Sequence, residues 1–329
     1  EVSPQAPSSH VAYSRYEITV RPDIYYQPHP AFAVDETDQP RYIGLSETQL
    51  ARYGSVEEFE HTGTRELVAE DYVYEIKRLA HPQLHSPIFG LMKGYIIGLD
   101  EYARELATFA ERVPKGAYLD LDRFDIAGVK SIDRYRYVIE IRGKYPQFLY
   151  WLAMPFFAPV PHEAERFYRQ PGMPANISLD WHPVGTGPYM LSVNDPHRMM
   201  VLERNPNFSG EPYPSQGETE DENAGLLDAS GKLMPFIDKV VYNLEKESIP
   251  YWNKFLQGYY DLSEISSDSF DQTVAVSANG EVGLTEEISE RGIELHTSVA
   301  ATTIYLGFNM LDPVIGGLDE RSRNCLLYT

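Results

Sequence analysis

Hydrophobic and polar positions change period several times along the chain. Residues 16–21 alternate apolar and polar side chains and run into Pro22-Asp23, the pattern of a strand entering a turn. From 67 to 80 the period lengthens, with Leu67, Val73, Ile76, Leu79 and Ala80 at helical spacing. Glu70 and Asp71 stand in the first turn, Lys77 and Arg78 in the last, and Pro82 lies just beyond, so the segment predicts a helix aligned with its own dipole. Residues 101–112 predict a second helix with mixed charges on an exposed face. Residues 135–142 predict a strand packed through Val138, Ile139 and Ile141. Further on, 189–193 and 199–203 alternate around Asn194-Asp195-Pro196-His197 and read as a hairpin. A strand over 237–244, a short helix over 250–257 stopped by Gly258, and a strand over 304–309 complete the series. Residues 25–40 and the acidic, Gly/Pro/Ser-rich stretch 209–233 read as loops, the second on the surface. No internal repeat is present, and the sum is a mixed α and β chain.

The hairpin sits in "HPVGTGPYMLSVNDPHRMMVLERNPNF", residues 182–208, whose two glycines raise the question of a phosphate-binding loop. A Walker loop requires Gly-Lys-Ser/Thr, whereas Gly187 is followed by Pro188 and Tyr189. Proline has no N–H to offer a phosphate, and a dinucleotide fingerprint would open a helix where this segment alternates as strand. Gly-Thr-Gly-Pro is therefore a turn that sets the hairpin. If Gly187 has a positive φ, its replacement by alanine is expected to lower stability.

Composition adds exclusions. The 329 residues are 43% hydrophobic and 23% charged, enough for a large core, and the formal net charge of -21 with no basic cluster argues against nucleic acid. The longest apolar run, 148–160, is broken by Pro155 and Pro159, so the chain offers no membrane-spanning segment. The single cysteine, Cys325, has no intramolecular partner. The first residues carry neither a basic nor an apolar signal region, so any signal peptide is expected upstream. His81 and His85 are four apart, but Pro82 separates them and they read as a solvated loop pair. "EFEH", residues 58–61, lacks the second histidine of a zinc protease. No Gly-x-Ser-x-Gly elbow is present, and neither an enzyme, a metal site nor a cofactor is expected. The 24 tyrosines are the richer signal, because tyrosine lines wet clefts with a flat face and one hydroxyl. The runs Tyr25-Tyr26, Tyr150-Trp151 and Tyr259-Tyr260 are candidates for such a surface.

Four segments in order resemble the solute-binding proteins of ABC importers, in their oligopeptide/dipeptide/nickel-binding class. "VAEDYVYEIKRLAHP" is similar to that class's Thr-Ala-Glu-Asp-Val helix, and "PVGTGPYMLSVNDPHRMMVLERNPNF" to its Gly-Thr-Gly-Pro-Tyr hairpin ending in Glu-Arg-Asn-Pro. "FIDKVVYNLEKESIPYWNKFLQGYYDLSEI" resembles the later strand, helix and turn, and "IYLGFNMLDP" the Tyr-x-x-x-Phe-Asn strand. Val68 departs from the usual threonine N-cap, at about 1 kcal/mol unless another group caps the helix. The resemblance implies an α/β fold with a mixed sheet, of the type II periplasmic-binding-protein kind. Within its first lobe, residues 1–42 and 161–311 would form the sheet-bearing subdomain, 43–160 an inserted subdomain, and 312–329 a divergent tail at the hinge. It implies capture of a solute, peptide first, outside the cytoplasmic membrane, possession of a permease partner, and a periplasmic or lipid-anchored location. Nickel, haem or oligosaccharide on the same fold is the alternative, and a secreted hydrolase the alternative of another class. Ligand contacts are expected from Tyr25, Tyr26, Trp151, Tyr259, Tyr260 and Asn309. The chain reads as a fragment lacking the second lobe, which alone is expected to hold peptide only at about millimolar strength.

Overall fold

The computed structural model describes residues 7, 10–114, 116–277, 280, 282–298, 301–307, 309 and 312. Its first unit, Glu1–Leu244, holds two three-stranded antiparallel sheets, and its second, Glu245–Thr329, is described separately below. In the first sheet β1 (Tyr13–Thr19) and β2 (Val129–Asp133) flank β3 (Arg136–Arg142), with Tyr16 opposite Ile139 and Val129 opposite the same residue. The central strand buries Tyr137, Val138, Ile139 and Ile141, on both faces, which is why its sequence is nearly continuously apolar. The second sheet has the order β4 (Tyr189–Asp195), β5 (Met199–Arg204), β8 (Lys239–Asn243). Between β5 and β8 come a two-stranded ribbon of β6 (Glu211–Pro212) and β7 (Leu233–Met234) and a short helix α7 (Thr219–Asn223).

The same unit carries helices α1 (Glu47–Leu50), α2 (Ala69–Arg78), α3 (Phe89–Tyr95), α4 (Leu99–Ala110), α5 (Phe148–Leu152) and α6 (His162–Tyr168), of which α2 packs on β2 and β3 and α3 on β3. One core of buried residues runs from Val20 to Val184. In α4, Leu99, Tyr102 and Leu106 make a single buried face, and the Tyr102 hydroxyl donates to the Leu121 carbonyl at 2.9 Å. Gly98 starts this helix at φ +85, and a Cβ there would stand 2.6 Å from the Ala127 nitrogen, so both conformation and space demand glycine.

The expected helix over 67–80 is α2, with every one of its predicted apolar positions buried. Its charged ends differ from the expectation. Asp71, Glu75 and Lys77 are buried, and Asp71 and Lys77 serve as ion partners inside the protein, to Arg65 and Asp122, rather than as a solvated complement to the dipole. The missing threonine cap is made good by Asp71, whose Oδ2 accepts the Val68 N–H at 3.0 Å. Arg65 donates to both oxygens of that same carboxylate, at 2.6 and 2.8 Å, and to both oxygens of Glu163 on α6, at 2.6 and 2.7 Å. Its guanidinium also covers the Tyr26 ring at 5.2 Å.

In the second unit α8 (Ser248–Leu256) ends at Gly258 with φ +80, as expected, and the Tyr259 N–H closes the turn on the Lys254 carbonyl at 3.0 Å. Helix α9 (Ser267–Thr273), the hairpin β9 (Val274–Val276) and β10 (Val282–Leu284), and α10 (Glu286–Ser289) follow, around buried Trp252, Val274 and Ile288.

Several expectations need correction. Residues 304–307 and 309 form no strand, since no described strand pairs with them and Ile304, Tyr305 and Leu306 are exposed. The stretch 209–233 is exposed but carries α7 and β6, and the loop 25–40 is core over 26–33, with Tyr26, His29, Ala31 and Phe32 buried, and exposed from 34 on. His81 is not solvated. It is buried at the end of α2, where its Nδ1 accepts the Gln83 N–H at 3.1 Å, while His85 is exposed. Cys325 and residues 313–329 lie outside the described residues.

Gly187 has no positive φ and open space where a Cβ would stand, so the premise of its stability role fails. We expect Gly187→Ala to stay within about 0.5 kcal/mol of the parent in urea denaturation, and Gly98→Ala to lose at least about 2 kcal/mol. A second prediction concerns acid. Burial opposes ionisation of Glu163, but the hydrogen bonds and charge of Arg65 outweigh it, holding the carboxyl below its ordinary 4.5. Its contribution is therefore present above about pH 4.5 and lost as pH falls through the depressed folded value. Urea midpoints between pH 7 and 3 should show this loss, and Asp71→Ala should cost about 3–5 kcal/mol at pH 7 by stranding part of the Arg65 charge.

Candidate functional site

The first unit opens into a groove of about 630 Å³ at one end of the β4-β5-β8 sheet. Its walls are Ile24, Leu67 and Tyr72 on one side, and Tyr189, Phe208, Met234, Phe236 and Ile237 on the other. Arg21 and Glu211 pair across the rim at 3.5 Å, both well exposed. A surface of rings and aliphatic groups with a polar rim suits a ligand that buries apolar side chains.

The Gly-Thr-Gly-Pro turn forms part of the wall through Thr186, Gly187 and Pro188. Asn205 fixes it. Almost wholly buried, Asn205 donates from Nδ2 to the Gly187 carbonyl at 2.9 Å and from its backbone to the Pro188 carbonyl at 2.8 Å, and its Oδ1 accepts the Asn207 N–H at 3.0 Å. Asn207 in turn donates from Nδ2 to the Tyr26 carbonyl at 2.7 Å, and Gln27 closes a two-way contact with Gly185. The Asn-Pro-Asn at the end of the hairpin is thus a clamp that ties the turn to the buried loop 25–40. It also explains why so irregular a segment holds its shape without strain at Gly187.

Below the loop, His29 is buried among aromatic rings, and burial, helped by His182, lowers it to about 3, so it is neutral. The Tyr168 hydroxyl donates to the His182 carbonyl at 2.7 Å and therefore accepts from His29 Nε2–H at 2.8 Å. His29 Nδ1 accepts the Ala31 N–H, which fixes this tautomer. These groups are fully engaged with one another.

None of the tyrosine and tryptophan residues singled out from sequence lines the groove. Tyr25 is partly exposed beside a bridge to Glu66, whereas Tyr26 is 0% exposed and is a core residue. Tyr150 is 75% exposed, and half-buried Trp151 donates from Nε1 to the Tyr145 hydroxyl at 2.9 Å. In the second unit Tyr259 is 72% exposed, and the Tyr260 hydroxyl donates to Glu245, which also pairs with Lys254. Asn309 is exposed. The groove's own aromatics, Tyr72, Tyr189, Phe208 and Phe236, are far apart in sequence. The available pointer to them was the hairpin, whose first strand begins at Tyr189. Among the described residues no group of three or more His, Cys, Asp and Glu is placed to hold a metal ion, and no helix is long and apolar enough to cross a membrane.

Residues 61–320 match the family described as bacterial extracellular solute-binding proteins, family 5 Middle. The chain belongs to that family. Family 5 membership carries the type II periplasmic-binding-protein fold with it, a mixed α/β architecture, and an extracellular solute-binding role as the family's general description. A search of curated protein sequences returns no match. Among solved structures, the chain is similar to the substrate-binding domain of an oligopeptide ABC transporter from Bacillus anthracis, at 16% identity and TM-score 0.43 over 78% of this chain and 35% of that one. It is similar to the periplasmic binding protein DppA from Helicobacter pylori, in complex with the peptide STSA, at 14% identity and TM-score 0.44 over 79% and 35%. A third is Listeria monocytogenes OppA bound to peptide, at 13% identity and TM-score 0.44 over 79% and 36%. The chain thus spans about a third of the length of these structures.

Asn205→Ala should cost about 1 kcal/mol, because it leaves the Gly187 carbonyl and the half-buried Asn207 N–H without their side-chain partner. Urea denaturation checks the cost, and proteolysis within residues 182–188 should accelerate as the turn loosens.

Proposed function

We propose that this family 5 chain contributes to a protein that captures peptides outside the cytoplasmic membrane and hands them to an ABC permease. The family match over residues 61–320 carries the proposal. Four sequence segments in the order of the oligopeptide and dipeptide class support peptide as the solute, and an apolar groove of about 630 Å³ with a charged rim suits side chains of varied identity. On this reading residues 1–42 and 161–311 belong to a sheet-bearing subdomain, 43–160 to an inserted one and 312–329 to a hinge tail. The protein is a periplasmic or lipid-anchored binder and has no catalytic role of its own. Tyr25, Trp151, Tyr259, Tyr260 and Asn309 remain proposed ligand contacts because they present accessible ring or amide surface, whereas Tyr26 acts through the loop it anchors.

Mass spectrometry of small molecules that co-purify with the natural full-length protein tests this reading. Recovery of a peptide mixture is the expected outcome. Recovery of nickel, haem or an oligosaccharide in stoichiometric amount, or turnover of peptides to products, would overturn it. Within a peptide-binding protein, Phe236→Ala should weaken apolar peptides about tenfold in calorimetry, a loss of about 1.4 kcal/mol, while the half-exposed ring leaves folding intact.

A further inference from the structure

A second cavity, of about 270 Å³, lies beneath α2 and is lined by Glu75, Arg78, Leu79, Pro155, Phe156 and Asp180 among others. Glu75 is only 7% exposed, and its Oε2 accepts no hydrogen bond. The Nη1 of Arg78 stands 3.6 Å away, beyond hydrogen-bond reach. Arg78 is turned elsewhere, donating from Nε to Glu165 on α6 at 2.8 Å, and Glu165 also receives Arg169 at 3.0 Å. The charged groups that line the cavity are two carboxylates, Glu75 and exposed Asp180, and one guanidinium, Arg78, while Glu165 and Arg169 pair behind it. One negative charge is left over. His81 does not supply the missing positive charge, because burial lowers it to about 4. Tyr74 and Tyr118, the nearby phenols, are both pushed above their usual range by burial and stay neutral. Lys77 is committed to Asp122 at 2.9 Å.

We propose that this cavity binds a small organic ammonium ion, with Glu75 as the carboxylate that receives it. A buried acceptor without a donor is a destabilised group that an N–H of the ligand satisfies. The other walls, Leu79, Leu84, Pro87, Pro155 and Phe156, suit the methylenes of an alkylammonium and supply none of the six or more oxygens a hard metal cation takes. Asp180 at the rim adds a second negative charge along the approach. The site is independent of the groove and of the peptide reading.

Without a ligand, burial raises Glu75 to about 8, so a proton occupies the place of the missing cation. Binding is then an exchange in which Glu75–COOH and R–NH₃⁺ give the Glu75 carboxylate paired with R–NH₃⁺, and one H⁺ leaves to solvent. Affinity should rise about tenfold per pH unit below pH 8 and level off above it.

Calorimetric titration of the 329-residue protein with n-butylammonium chloride at pH 6, 7 and 8.5 tests the proposal, in two buffers of different ionisation enthalpy. The expected result is tightening with pH and release of close to one proton at pH 6 and 7. Glu75→Gln, neutral like the protonated acid, should fold and lose both binding and proton release. Asp180→Asn, at an exposed site, should keep the proton release and weaken binding a few-fold. Absence of binding at pH 8.5, equal affinity for tetramethylammonium or sodium, or binding without proton release at pH 6 by the parent protein would each overturn it. The last two readouts stand even if Glu75→Gln does not fold.

Discussion

Arg65 is the joint on which the first unit turns. One guanidinium holds the capping carboxylate of α2, the first-turn carboxylate of α6, and the faces of Tyr26 and Phe32. Burial alone would favour loss of its charge, and Asp71 and Glu163 together outweigh that cost and bind the proton more firmly than in water. Because Asp71 is at once the helix cap and the ion partner, the start of α2 cannot move without disturbing α6 and the loop beneath. Each carboxylate uses both oxygens, the fork geometry that a lysine in the same place lacks.

From this joint the groove follows. Tyr26, covered by Arg65, gives its carbonyl to Asn207, and the same short segment carries Asn205, which grips the Gly-Thr-Gly-Pro turn. A polar residue that looks like hairpin punctuation is therefore a buried connector between the ion network and one wall of the groove. The turn needs no left-handed glycine at 187, because side-chain amides position it.

Where contacts are local, the elements were legible. Strand β3 shows its near-continuous apolar run, α2 and α4 show helical spacing, and Gly258 ends α8 with the positive φ that glycine permits. The loop 25–40 was not legible as core, because its partners lie far along the chain: Asn207 reaches Tyr26 across 181 residues and Gly185 reaches Gln27 across 158. Paired aromatics misled for a related reason. Neighbouring residues of an extended segment face opposite ways, so Tyr25 is out and Tyr26 is in. The rings that converge on the groove stand singly at 72, 189, 208 and 236, and only tertiary packing gathers them. The charges of α2 looked like solvated ends, and their burial depends on partners from elsewhere in the chain: Arg65 for Asp71, Asp122 for Lys77 and Glu165 of α6 for Arg78.

The order of strands in the first sheet has a consequence for how the chain is made. β1 leaves the ribosome well before its partner β3, and the link from Arg15 to Glu140 spans 125 residues. Until that distance has been synthesised, β1 has no strand to pair with, and closing so long a loop costs entropy that only the completed core repays. The helices between can form as they emerge, but their apolar faces wait for the same event. The first unit is thus assembled late and nearly at once, with a long interval in which an unpaired strand and half-built core are open to other chains.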